Sequence, residues 1–224
     1  MEITQEIIAA LARAAGLKPT ESNSPRFLPP DAEAASKILT EASRIGAPIH
    51  LAGGETNLPA PPDRIVLSSS ENCQVRHLSR QDLTLEVGAG MTLKELNRHA
   101  SSYDWQIPPS LGTIGGCLAA ENDSPAKSEL LPRIMGLVWI QPSGEILKLG
   151  GRTVKDVAGY RIFPLLFGSA GKLGMIWEVI VNLSAFYRDS TILPSVPSDE
   201  SGNLRHQEWI ENLLKSLDPA RILG

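Results

Sequence analysis

The stretch from Lys148 to Leu183 (K-L-G-G-R-T-V-K-D-V-A-G-Y-R-I-F-P-L-L-F-G-S-A-G-K-L-G-M-I-W-E-V-I-V-N-L) constrains the fold most, because it holds six of the chain's nineteen glycines. Glycine weakens helices and strands from within, so several in an apolar setting mark points where backbone passes close to something. The stretch ends in Met175–Leu183, an apolar run with β-branched residues that predicts a buried strand. Two more glycine clusters, at 53–54 and 112–116, also fall between predicted strands and helices. Amides freed of side chains can converge on a phosphate or a flat ring without desolvating a charge. Each cluster alone reads equally well as a tight turn; three in one chain point to a nucleotide-like ligand.

The elements around these clusters follow from local chemistry. Thr4 is a candidate cap for a short helix with Ile7, Ile8, Leu11 and Ala15 on one face, closed by Gly16. Residues 17–30 carry four prolines and read as an irregular connector. Asp31 opens a clearer helix, with Ala35, Ile38, Leu39, Ala42 and Ile45 inward and Gly46 at its end. Strands are expected at 48–52 and 65–67, and Asp82–Val87 alternates as a half-buried strand. Gly88-Ala89-Gly90 turns the chain into a helix with a Thr92/Glu95 capping box and an inner face of Leu93, Leu96 and Ala100. Met135–Ile140 and Glu145–Leu149 are joined by Q-P-S-G as a hairpin. Residues 188–203 are polar and read as a linker, and His206–Leu217 as a last amphipathic helix. A parallel start followed by antiparallel hairpins makes the fold α+β.

Composition excludes several classes. A net charge of −4 offers no basic face for nucleic acid. No apolar run approaches the ~18 residues that would insert in a membrane, and the N-terminus lacks signal-peptide grammar. Cys73 and Cys117 are too few and too far apart for a disulfide framework, so a cytoplasmic setting is expected. Neither cysteine has a basic neighbour in sequence to make a reactive thiolate. His50, His77, His99 and His206 have no metal-ligand spacing; His50 is expected half-buried, His77 and His99 at the surface. Gly168–Leu173 superficially resembles a P-loop, but Leu173 stands where magnesium binding requires Ser or Thr. Lys155 and Tyr160 are the only reactive-looking side chains in the organising stretch. No residue is nominated as catalytic or as a metal ligand, and chemistry on this scaffold would have to come from a cofactor.

Residues 150–160 (G-G-R-T-V-K-D-V-A-G-Y) followed by 168–179 (G-S-A-G-K-L-G-M-I-W-E-V) resemble the second half of the flavin-binding domain of the vanillyl-alcohol-oxidase/p-cresol-methylhydroxylase family. Within that family the likeness is to the smaller FAD-binding subunits of the bacterial glycolate-oxidase type. Pro108-Pro109 and Thr113–Ala120 (T-I-G-G-C-L-A-A) resemble another family segment, Pro48–Asn57 its first pyrophosphate loop, and Leu214–Leu223 its closing L-K-x-x-x-D-P-x-x-I-L. The resemblance implies a small α/β lobe and a second lobe with an antiparallel sheet flanked by helices, with non-covalent FAD in the groove between them. It implies cofactor contacts at Gly53, Gly54, Thr56, Asn57, Pro109, Thr113, Gly115, Gly116, Lys155, Gly159, Tyr160, Gly171, Gly174 and Ile176. The first loop and the T-I-G-G segment would hold the pyrophosphate by backbone amides. The implied organisation is an N-terminal helix and connector (1–30), the FAD-binding domain (31–187), a linker in place of the family's substrate cap (188–203), and a C-terminal helix and tail (204–224).

Three departures from the family pattern stand out: Glu55 at the last glycine of the first loop, Glu121 for an asparagine, and Arg161 for an aspartate. A carboxylate 4 Å from one diphosphate charge costs about 1 kcal/mol in water and more when partly buried. The implied function is the FAD-binding subunit of a flavin-dependent 2-hydroxy-acid oxidoreductase complex, partnered by a larger flavoprotein subunit and an iron–sulfur subunit. An alternative of another class is a degenerate, non-catalytic subunit that keeps the fold without FAD and serves assembly or regulation. A third is an unrelated small-nucleotide binder reusing the groove.

Overall fold

The computed structural model describes residues 3–20, 24–54, 60–103, 105–152, 163–184 and 212–223. Helix α1 (Gln5–Ala15) is capped by Thr4, whose side chain accepts from the Ile7 amide, and ends on left-handed Gly16. Helix α2 (Ala32–Ile45) repeats the device with Asp31 and Gly46, and the two helices pack on each other. They cover a parallel three-stranded sheet in the order β1-β3-β2, built from β1 (Arg26–Phe27), β2 (Ile49–Ala52) and β3 (Ile65–Ser68). Strand β1 lies inside the stretch expected to be an irregular connector. Pairing of Arg26 with Val66 and Phe27 with Leu67 makes it a strand despite the prolines around it.

The second sheet is antiparallel throughout, in the order β4-β5-β8-β6-β7. It comprises β4 (Val75–Ser79), β5 (Thr84–Gly88), β6 (Ile134–Ile140), β7 (Ile146–Gly150) and β8 (Met175–Asn182). Both faces of its centre are buried, which is why β6 and β8 read as continuous apolar runs rather than alternating ones. Leu137, Trp139, Ile176, Val179 and Val181 face one core with helix α3 (Leu93–Ala100), while Val138, Ile140, Met175 and Trp177 face a second core shared with α2, β2 and β3. Ile176 pairs with Trp139 and Glu178 with Val138, leaving Trp177 as a bulge that sends its side chain to the opposite core from Val179.

The chain's last described segment ties the lobes together. A helical turn over 212–217 lays Leu213, Leu214 and Leu217 on the first core, and Ile222 and Leu223 enter the second. Buried Asp218 accepts from the Ile222 and Leu223 amides at 3.0 and 2.9 Å, and the Ile222 carbonyl accepts from Ile49 at 2.7 Å. The tail thereby extends hydrogen bonding at the edge of β2. Residues 206–211 of the expected C-terminal helix lie outside the described residues.

Candidate functional site

The two sheets meet at their glycine turns, and an open groove lies between. Counted out to its mouth, open solvent included, the groove has about 830 Å³ of free space. One wall is the end of β2 and the turn at Gly53-Gly54; the other is helix α4 (Ile114–Ala119) with residues 170–176. The β2 turn is held from behind. Ser68 Oγ donates to the Gly53 carbonyl at 3.2 Å, and the Ser69 amide to the Ala52 carbonyl at 2.9 Å. Gly53 then passes so close to α4 that a Cβ there would sit 2.3 Å from Thr113 Oγ1. The first two glycine clusters thus touch each other.

Helix α4 begins with its amides already engaged. Ile114 donates to the Met91 carbonyl (2.9 Å), Gly115 to Ala89 (2.9 Å), Gly116 to Thr113 Oγ1 (3.2 Å) and Cys117 to the Thr113 carbonyl (2.9 Å). These bonds seat α4 on the turn between β5 and α3. They also differ from the expectation that this segment holds a diphosphate by its amides, because those donors are used within the protein. At the other end of α4 the carbonyls of Leu118 and Ala119 accept from Gly168 and Ala170 at 2.9 and 2.8 Å, docking the third glycine cluster on the helix. The Ala120 carbonyl accepts from Lys127 Nζ at 2.6 Å, and Lys127 is buried. Lys127 belongs to α5 (Pro125–Leu130), a short helix capped by Ser124. Burial pushes the Cys117 thiol up, partly offset by a hydrogen bond with Ser124 and by the charge of Lys127. The absence of a basic neighbour in sequence did not extend to space.

The family described as FAD binding domain matches residues 26–150, more than half of the chain. The chain belongs to this family. Its cofactor is FAD, the ligand for which the family is described. Among curated relatives, D-lactate dehydrogenase from Archaeoglobus fulgidus is 29% identical over 175 residues, covering 74% of this chain and 40% of the relative. Glycolate oxidase subunit GlcD from Bacillus subtilis is 31% identical over 169 residues, covering 69% and 36%. The chain therefore spans less than half the length of these relatives. Among solved structures, 4-ethylphenol oxidase from Gulosibacter chungangensis superposes with a TM-score of 0.62 at 15% identity, covering 80% of this chain and 43% of that one. At that identity the likeness speaks for the fold: the two-lobed α+β architecture expected from the sequence.

The groove fits FAD in its walls. Leu51, Ala52, Ala119, Met175 and Ile176 are apolar, and glycines leave room for flat rings to lie against backbone. Of the residues singled out in the sequence, Gly53, Gly54, Thr113, Gly115, Gly116, Gly171, Gly174 and Ile176 line this one groove. Pro109 is exposed and does not line it. Thr56, Asn57, Lys155, Gly159 and Tyr160 lie outside the described residues, as do Glu55 and Arg161. Glu121 is described, and its carboxylate meets Lys172 Nζ at 3.0 Å, so its negative charge has a partner at the surface. Sequence reasoning missed His50, Ser69 and Ala170 as lining residues. Half-buried His50 is the one ionisable side chain among the described lining residues; its place within β2, three residues before the glycine turn at Gly53, is the signal that could have found it. Gly174 faces the groove on one side only: a Cβ there would meet Trp139 Nε1 at 2.4 Å and the Ile140 carbonyl oxygen at 2.5 Å.

Proposed function

We propose that this chain is the FAD-binding subunit of a flavin-dependent 2-hydroxy-acid oxidoreductase complex of the glycolate-oxidase type. The observation that carries the reading is the coincidence of the FAD-binding family match with a groove formed where three glycine turns converge. The names of the two relatives favour the substrate class, since lactate and glycolate are both 2-hydroxy acids. Bound FAD supplies the two-electron acceptor for such an oxidation. Gly53, Gly54, Thr113, Gly115, Gly116 and Gly171 would admit the cofactor along the groove, with Ile176 against a ring face. Thr56, Asn57, Lys155, Gly159 and Tyr160 are proposed contacts from the same family pattern, with residues 31–187 as the cofactor domain. The terminal segments 1–30 and 204–224 flank it, and 188–203 is the linker.

The partners in this reading are a larger flavoprotein subunit and an iron–sulfur subunit that passes electrons onward, working in the cytoplasm. No described helix is long and apolar enough to cross a membrane. The test is the visible spectrum of the purified chain and its titration with FAD, followed by bleaching of the flavin band with glycolate or D-lactate in the presence of the partner subunits. A near-stoichiometric flavin band is the expected result. A colourless protein that takes up no FAD overturns the reading and leaves the assembly role.

A further inference from the structure

Lys127 is an unusual residue to find inside a protein of this size. Its side chain is 6% exposed, and lysine is seldom buried unless its charge is met. An ammonium offers three donors. One goes to the Ala120 carbonyl at 2.6 Å, while Asp123 stands 3.8 Å away with its side chain 94% exposed to water. No other partner of Lys127 is found among the described residues. A carboxylate that exposed is screened by solvent and neutralises a buried cation only in part. The charge sits directly behind the groove: Ala120 is a lining residue, and a Cβ on Gly168 would lie 3.6 Å from Nζ. Among the described residues, two other sources of positive potential on this side of the groove are committed elsewhere. The first amides of α4 are donated within the protein, and Lys172 is paired with Glu121 at 3.0 Å.

Resting on the reading that FAD occupies the groove, we propose that Lys127 is a positioning residue that makes the groove selective for an anionic flavin. Its ammonium fixes the Ala120 carbonyl, and with it the α4 wall. Asp123 offsets its charge only in part, and the rest acts from behind that wall, where the low dielectric makes it felt by a phosphate-bearing ligand. A lysine that only capped α4 would act through its hydrogen bond, and a neutral donor in its place would serve the same purpose. The two roles separate on charge.

The experiment compares FAD with riboflavin, which carries the same ring system without phosphates, by fluorescence titration of wild type, Lys127→Gln and Lys127→Met. Glutamine keeps a donor for Ala120 and removes the charge; methionine removes both. Loss of about tenfold or more in FAD affinity is expected in both variants, with riboflavin affinity within about threefold of wild type. FAD affinity unchanged in Lys127→Gln overturns the proposal, and so does an equal loss for both ligands, which would mark a purely structural role. Should neither variant fold, Asp123→Asn decides: removing this exposed carboxylate should tighten FAD about twofold at low salt, and unchanged or weaker binding overturns the proposal. Wild-type protein that takes up no FAD overturns the cofactor reading and this inference with it. That outcome is told apart because the wild type itself is silent.

Discussion

The two walls of the groove use glycine for different purposes. On the β2 wall, Gly53 is a contact: the missing Cβ leaves the space that Thr113 Oγ1 occupies, and the lobes close on each other there. On the opposite wall, glycine mainly sets handedness. Gly168, Gly171 and Gly174 have φ of 76, 79 and 127°, and Ala170 joins them at 51°. That wall folds back on α4 through a run of left-handed residues, which only glycine adopts without cost. Gly171 shows the distinction, because a Cβ there would meet nothing closer than Leu51 at 3.4 Å. A glycine-rich stretch in a sequence marks where protein meets protein as much as where it meets a ligand; the groove is the space left over.

Gly174 combines both roles and gives the largest expected effect. Gly174→Val would add strain at φ 127° and drive a branched side chain into Trp139, whose Nε1 donates to the Leu173 carbonyl at 3.0 Å. A loss of at least ~3 kcal/mol is expected from overpacking and backbone strain together. Urea unfolding in the absence of FAD measures it. A stable variant that merely bound FAD less well would instead make this glycine a ligand contact.

Gly53 tests the other wall. Gly53→Ala should cost about 1–2 kcal/mol, because Thr113 must swing away and release the Gly116 amide it caps. Thr113→Ala removes the obstacle along with the cap, so the double variant should cost less than the sum of the singles, with a coupling of about 1 kcal/mol. Strict additivity would mean that the two loops do not meet there. Gly171→Ala is the milder counterpart on the handed wall. Space is available, so only the left-handed conformation is penalised, at about 1 kcal/mol. A cost as large as that of Gly174→Val would erase the contrast between contact and handedness.

What could be read in advance follows the same division between local and distant causes. The caps at Thr4, Asp31 and the Thr92–Glu95 box stand in the structure because each is decided within four residues. The β6–β7 hairpin and buried β8 follow from apolar pattern and turn chemistry. Helix α4 was not legible, since two glycines in six residues argue against a helix at about 1 kcal/mol each. Tertiary packing overrides that penalty: a Cβ on Gly115 would stand 3.0 Å from that of Ala89, so the helix can seat only with glycine there. Strand β4 is polar and mostly exposed, an edge strand made by its neighbour β5 rather than by its own composition. For the site, the glycine pattern located both walls. It could not find Lys127, because nothing within α5 tells a buried lysine from a solvated one; the carbonyl that holds it is seven residues away, across a turn.

The smallest effect concerns the back of the α4 wall. Cys117 is buried and its thiol is pushed up by burial, while Ser124 and Lys127 pull the other way. Up to the ordinary thiol value of about 8.5, folded and unfolded chains are both protonated at this site, and it adds no pH dependence. Above that value the unfolded chain loses the proton first and so binds fewer protons than the folded one. Stability must then fall as pH rises, until the folded thiol also ionises. Urea unfolding across this alkaline range should show the decline, and Cys117→Ala should remove this part of the slope. Alkylation gives an independent readout. In Cys73→Ser protein the midpoint of the pH–rate profile for Cys117 should lie higher in the folded state than in urea, and Lys127→Met should raise it further. The midpoint is the quantity that matters, since burial alone slows alkylation at every pH without moving it. A folded midpoint equal to that in urea would mean that the wall is open to water behind α4, and that the charge of Lys127 is screened there as it would be at the surface.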